Sequence, residues 1–126
     1  MKEHEETERL HLEDLKEQIK RDGILKNPII VDKNTNIILD GHTRLNSLKG
    51  LGYSKIAVYF VDYESPEIFV ESWGDGKITK EKVIKAGLTG NKLPPKTSKH
   101  MFRKEKISVH ISEITKRINI PLKVLK

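Results

Sequence analysis

Leu12, Leu15 and Ile19 recur at helical spacing with charges between them, which predicts a helix over 8–22. Gly23 ends it, because a residue without Cβ suits the left-handed cap. Pro28-Ile29-Ile30-Val31 then reads as a short buried strand and Ile37-Ile38-Leu39 as a second. Between them Asn34-Thr35-Asn36 tolerates left-handed geometry, so 28–39 is predicted to be a hairpin. The apolar run stops at Asp40-Gly41, and a helix over 42–50 follows with Leu45 and Leu48 inward. Residues 56–61 are apolar on both faces, which predicts a strand covered on both sides. Residues 68–70 suit a further strand or a short helix. Thr79 is placed to cap a helix over 80–86 that stops at Gly87. Residues 89–100 read as irregular, 106–110 as a strand, and 111–118 as helical, with Ile111, Ile114 and Ile118 on one stripe. With no internal repeat and no low-complexity linker, the 126 residues read as a single domain over 1–126. The fold class is α+β, a small mixed sheet flanked by helices.

Composition narrows this picture. Charged residues make up 33% of the chain, above the roughly 25% usual for globular proteins. Lysine and glutamate dominate, Gln18 is the only glutamine and cysteine is absent, a balance typical of thermophile chains. Without cysteine there is neither disulfide nor thiolate metal site. The net charge is +6, but Lys and Arg are scattered among Glu and Asp. A nucleic-acid binder concentrates its basic charge, so nucleic acid is not the expected partner. No apolar stretch approaches the roughly 18 residues of a membrane span, and the charged N-terminus is unlike a signal peptide. A soluble cytoplasmic protein is the expectation.

Four segments carry candidate chemistry. Asp40-Gly41-His42-Thr43-Arg44 lies where an apolar strand turns into a helix. The first helical N–H groups lack partners and attract anions. Gly41 permits close approach, Arg44 can fork onto phosphate oxygens, and Thr43 and His42 add polar groups. Asp40 can hold a divalent cation that bridges phosphates. The same residues also suit an N-cap aspartate, a turn glycine and an exposed arginine. His4-Glu5 reads as a charged, frayed chain end, or as a general base if folded onto a pocket. Pro95-Lys96-Thr97-Ser98-Lys99-His100 reads as a solvated basic loop, or as donors gathered around a carboxylate or phosphate. Trp73, before a Gly-Asp-Gly turn, suits the core or a pocket wall. His11 and His110 have no motif around them and read as structural or surface residues.

Three of these segments, in order, resemble the free L-serine kinase family of the ParB/sulfiredoxin-like superfamily. Asp40-Gly41-His42-Thr43-Arg44 is similar to the family's Asp-Gly-His-His-Arg turn. Met1-Lys2-Glu3-His4-Glu5 resembles its segment ending in His-Glu, and Pro95-Lys96-Thr97-Ser98-Lys99-His100 its Pro-Lys-Thr-Thr-Arg-His. The resemblance spans about residues 1–110. It implies a ParB/sulfiredoxin-like domain that transfers a phosphoryl group from ATP or ADP, with Mg²⁺, to the hydroxyl of free L-serine, giving O-phospho-L-serine. Glu5 then matches the catalytic base, and Asp40 the aspartate near phosphate and metal. Gly41, His42 and Arg44 match the phosphate turn, and Thr43 lies within it. Lys96, Thr97, Ser98 and His100 match the serine loop, and Trp73 a pocket tryptophan.

The chain departs from the pattern at Thr43, where the family has a second His, and at Lys99, where it has Arg. About 20 residues connect Trp73 to Pro94, where longer members carry a large insertion. A threonine or homoserine kinase is the near alternative. A nucleotide-dependent DNA-binding partition module is the distant one, although 101–126 is too short for a helix-turn-helix domain. A sulfiredoxin reaction needs a cysteine that this chain lacks. A monomer or small homo-oligomer is expected.

Overall fold

The computed structural model describes residues 2–6, 8–72, 78–93, 98–115 and 118–126. Residues 2–6 form an extended ribbon, not a frayed segment. Lys2 N–H donates to Asn36 O (2.7 Å) and Ile38 N–H to Lys2 O (2.8 Å). Further along, Leu93 N–H donates to His4 O (2.8 Å) and Glu6 N–H to Leu93 O (2.7 Å). Residues 2–6 therefore bridge two segments far apart in sequence, in parallel with both.

Helix α1 (Arg9–Asp22) ends at Gly23, whose φ of 67° is left-handed and whose N–H reaches Ile19 O. Strand β1 (Ile24–Leu25) is short, and β2 (Ile29–Asp32) is buried at all four positions. The predicted hairpin forms: β2 pairs antiparallel with β3 (Ile38–Asp40), and Asn36 takes a φ of 62° in the turn. The Asp32 carboxylate holds this turn, accepting from Thr35 Oγ1 (2.6 Å) and Thr35 N–H (3.1 Å), and also from Tyr63 N–H (3.1 Å). Helix α2 (His42–Gly50) follows and packs on α1.

Strand β4 (Val58–Val61) pairs parallel to β2, giving a mixed sheet ordered β3-β2-β4. Covering on both faces, expected from its apolar run, is not observed. As an edge strand β4 leaves Tyr59 45% and Phe60 57% exposed, while Val58 and Val61 pack inward. Strand β5 (Ile68–Ser72) precedes α3 (Lys80–Thr89), whose Thr79 cap accepts from Lys82 N–H. The expected stop at Gly87 gives way to one at Gly90, which has a φ of 78°. Gly87 instead serves packing: a Cβ there would lie 2.8 Å from Ile37 Cγ1.

The stretch expected to be irregular ends as strand. Strand β6 (Ser98–Lys104) joins β5 and β7 (Ile107–His110) in an antiparallel sheet ordered β5-β6-β7. The helix expected over 111–118 is only a 3₁₀ turn, Ile111–Ile114, which ends where Thr115 becomes extended. Strand β8 (Ile120–Pro121) closes on β1, and a last 3₁₀ turn, Leu122–Leu125, follows it. The α+β class holds; among the described residues the strands divide into two three-stranded sheets and a two-stranded ribbon.

The alternation of side chains along β2 explains its complete burial. Ile30 faces one cluster with Ile37, Leu39, Tyr63 and Val83, while Ile29 and Val31 face another with Ile38 and Leu45 beneath α2. Among the described residues, no helix is long and apolar enough to cross a membrane.

Candidate active site

The site is built where β3 ends. Gly41 turns the chain with φ 104° and ψ 19°, and a Cβ there would lie 2.5 Å from Ile29 Cγ2. Glycine is required twice, for the positive φ and for the close approach to β2. The first bond of α2 runs from Leu45 N–H to Gly41 O. The N–H groups of His42, Thr43 and Arg44 therefore precede the helical ladder, at its positive end. The cap residue is Gly41 itself, with no side-chain cap bond. Asp40 is occupied elsewhere: its Oδ2 accepts from Arg44 Nη2 at 2.9 Å, while Arg44 Nη1 donates to Pro28 O at 2.7 Å. These contacts fix the arginine and use two of its five N–H donors.

The N-terminal ribbon and the start of β6 meet beside this turn. Ser98 donates to Glu5 Oε1 through its backbone N–H (2.7 Å) and its hydroxyl (2.8 Å). His4 is 1% exposed, with Nδ1 2.8 Å from Ile38 O and Nε2 2.9 Å from Ser98 Oγ. Its ring meets those of His42 and His100 edge-on, at centroid separations of 4.5 and 5.5 Å. Tyr63 OH closes the cluster at 2.8 Å from His100 Nε2. Glu3 anchors the ribbon from the other side, accepting from Asn46 Nδ2 and Lys92 Nζ, each at 2.7 Å.

Burial sets the charge of this cluster. It lowers His4 to about 4, against a smaller opposing pull from its bond to Ile38 and from Glu3. It lowers His42 to about 3, aided by His4 and Lys92, and drives His100 well below the ordinary histidine range. All three are neutral at pH 7. The phenol of Tyr63 is pushed up by burial, so it stays protonated and donates to His100. Since a carbonyl only accepts, Ile38 O fixes the His4 proton on Nδ1 and leaves Nε2 as acceptor.

A cavity of about 280 Å³ opens onto these groups. Of the residues singled out in the sequence, Glu5, Asp40, Gly41, His42, Thr43, Arg44, Ser98 and His100 all line it. Trp73, Lys96 and Thr97 lie outside the described residues. His11 and His110, which the sequence leaves without a role, also line the cavity, as do His4, Glu6, Glu8 and Lys99. Nothing in the local sequence pattern marks Glu6 or Glu8. Among the described residues, no group of three or more His, Asp and Glu could by itself hold a metal ion.

No protein-family model matches the chain. An ATP-dependent L-serine kinase from Staphylothermus marinus is 34% identical over 94 residues, covering 68% of this chain and 37% of that protein. A ParB-like protein from Sulfolobus acidocaldarius is 48% identical over 46 residues, 36% of this chain and 23% of that protein. A solved free serine kinase in complex with AMP superposes with a TM-score of 0.83 at 18% identity, over 100% of this chain and 90% of that one. The fold is accordingly ParB/sulfiredoxin-like. Within it, the chain is similar in sequence to ATP-dependent L-serine kinases over about two thirds of its own length. It spans little more than a third of the length of the serine kinase it matches in sequence.

Proposed function

We propose that the chain transfers the γ-phosphoryl group of ATP to the hydroxyl of free L-serine, giving O-phospho-L-serine and ADP. One observation carries the reading: Glu5 and the turn at Asp40-Gly41-His42-Thr43-Arg44 line the same cavity. A carboxylate base and an anion-binding helix start thus face one space. The relative's name supplies the donor, ATP, and the acceptor, L-serine.

Phosphoryl transfer asks for positioning and charge neutralisation more than covalent help. In this reading the N–H groups at the start of α2 and the remaining donors of Arg44 receive the phosphates. Glu5 takes the serine hydroxyl proton as that oxygen bonds to the γ-phosphorus. The bond from phosphorus to the β–γ bridging oxygen breaks, and ADP leaves. Ser98, His100, Lys96, Thr97 and Trp73 form the serine side.

Glu5, Glu6, Glu8 and Asp40 line the cavity together with Arg44 and Lys99. This surplus of carboxylates suits a site that takes in cations with its anions, namely the ammonium of an amino acid and Mg²⁺. Magnesium is commonly held by one or two carboxylates together with phosphates and water. Asp40 fits that pattern through Oδ1, its Oδ2 being bonded to Arg44. Mg²⁺ bound there would neutralise phosphate charge.

Likeness to a ParB-like protein favours a second reading, a nucleotide-dependent DNA-binding module, against which the carboxylate-rich cavity argues. The test is phosphorus NMR of protein, Mg²⁺ and ATP or ADP with serine, threonine or homoserine. Phosphoserine from ATP is expected. No phosphorylated amino acid from any pair, together with retention of DNA on a gel, would overturn the proposal.

A further inference from the structure

The Ser98 hydroxyl lies between two acceptors and has one hydrogen to give. Glu5 Oε1 is 2.8 Å from Ser98 Oγ on one side, and His4 Nε2 is 2.9 Å from it on the other. A carboxylate only accepts. Neutral His4, with its proton held on Nδ1 by Ile38 O, also only accepts at Nε2. With both ends unprotonated, the line Glu5–Ser98–His4 is one proton short of satisfying its own hydrogen bonds. One added proton completes it in either of two arrangements. Glu5 can donate to Ser98, which donates to His4, or His4 can donate to Ser98, which donates to Glu5.

We propose that Glu5, Ser98 and His4 form a single proton-accepting unit, in which the proton taken up by Glu5 passes through the Ser98 hydroxyl to Nε2 of His4. The inference deepens the kinase reading and rests on it for the source of that proton, the acceptor hydroxyl. As the serine oxygen bonds to phosphorus, its proton moves to Glu5. Glu5 then protonates Ser98 Oγ while the Ser98 hydrogen moves to His4 Nε2. Glu5 is again a carboxylate, Ser98 again a neutral hydroxyl, and His4 an imidazolium bonded at both nitrogens. Once the product has left, the same hops in reverse return the proton through Glu5 to water.

Three further features favour this arrangement. His4 is shut from solvent at 1% exposure, so a proton on Nε2 leaves by way of Ser98. Burial brings His4 to about 4, so Nε2 takes up a proton only transiently and gives it back readily. The groups facing His4 also define its field. Neutral His42 and His100 flank it from α2 and β6, and Glu3 on its own segment favours its charged form. His4 touches the unit, not the substrate, so it is a positioning and proton-holding residue and Glu5 remains the base.

The test is a pH titration by NMR of the full chain, following the His4 ring nitrogens and the Glu5 side-chain carbon, with turnover measured alongside. In the wild type both signals should move with a common midpoint. Ser98→Ala should separate them, and Ser98→Thr, which keeps a hydroxyl and is the residue of the family motif, should restore the common step. His4→Gln, which hydrogen-bonds without titrating, should lower kcat at least tenfold with little change in KM for ATP. Independent midpoints in the wild type, or a His4 titration unmoved by Ser98→Ala, would overturn the proposal, as would full kcat in His4→Gln. A coupled step in a chain that phosphorylates no serine would uphold the unit and sink the kinase reading, so the two fail separately.

Discussion

Arg44, in the first turn of α2, and Asp40, at the end of β3, form an ion pair, 2.9 Å between Nη2 and Oδ2, with each side chain about one-fifth exposed. The arginine's other fork bonds Pro28 O at 2.7 Å, so the guanidinium is oriented before any anion arrives. Preorganisation of this kind lowers the cost of binding.

Arg44→Ala should weaken ATP binding by roughly ten- to a hundredfold, the worth of one charge-assisted contact. Arg44→Lys should recover little of it, because a lysine cannot span Asp40 and Pro28 while presenting a fork. Calorimetric titration with ATP is the check, and wild-type affinity in Arg44→Ala would remove the phosphate cradle.

Gly41 and Gly23 both have positive φ, but only Gly41 presses on a neighbour. Gly41→Ala combines left-handed strain with overpacking against Ile29, and should cost about 2–4 kcal/mol. Gly23→Ala meets open space and should cost about 1 kcal/mol. Urea unfolding of the two variants checks the difference, and equal losses would contradict it.

How much of this was legible beforehand depends on the range of the interactions. The hairpin was, because the Asn34-Thr35-Asn36 turn and its strands are adjacent. The start of α2 was, because Asp40-Gly41 breaks an apolar run. The N-terminal ribbon was not: its partners, residues 36–38 and 93, are distant in the chain, and a segment with four charged residues in its first six reads locally as a loose end. Gly87 reads locally as a helix stop for a related reason, since its contact with Ile37 lies outside its own helix. The apolar stretch before Val61 misled because periodicity does not tell an edge strand from a central one. The motif resemblance supplied Glu5 and Ser98; the role of His4 came only from its contacts.

The neutral histidine cluster makes stability depend on pH in a definite direction. His4 and His42 fall to about 4 and about 3 in the folded chain, and His100 is also lowered, against about 6.5 unfolded. The unfolded state therefore binds more protons between those values, and stability is lost as pH falls below about 6.5. Each histidine contributes up to about 1.4 kcal/mol per pH unit in that window. Urea midpoints should drop steeply from pH 6.5 to 4.5, less so in His4→Gln, and a flat profile would contradict the neutral cluster.

The central claim is that Glu5 serves as a base beside a phosphate-binding turn. The most direct test is mass-spectrometric detection of O-phospho-L-serine from ATP, Mg²⁺ and serine, comparing the wild type with Glu5→Gln. The account predicts product from the wild type and at least a hundredfold less from Glu5→Gln, a loss within the usual worth of a general base of about 10²–10⁴, with ATP still bound. Equal rates of product formation by the two proteins would contradict it.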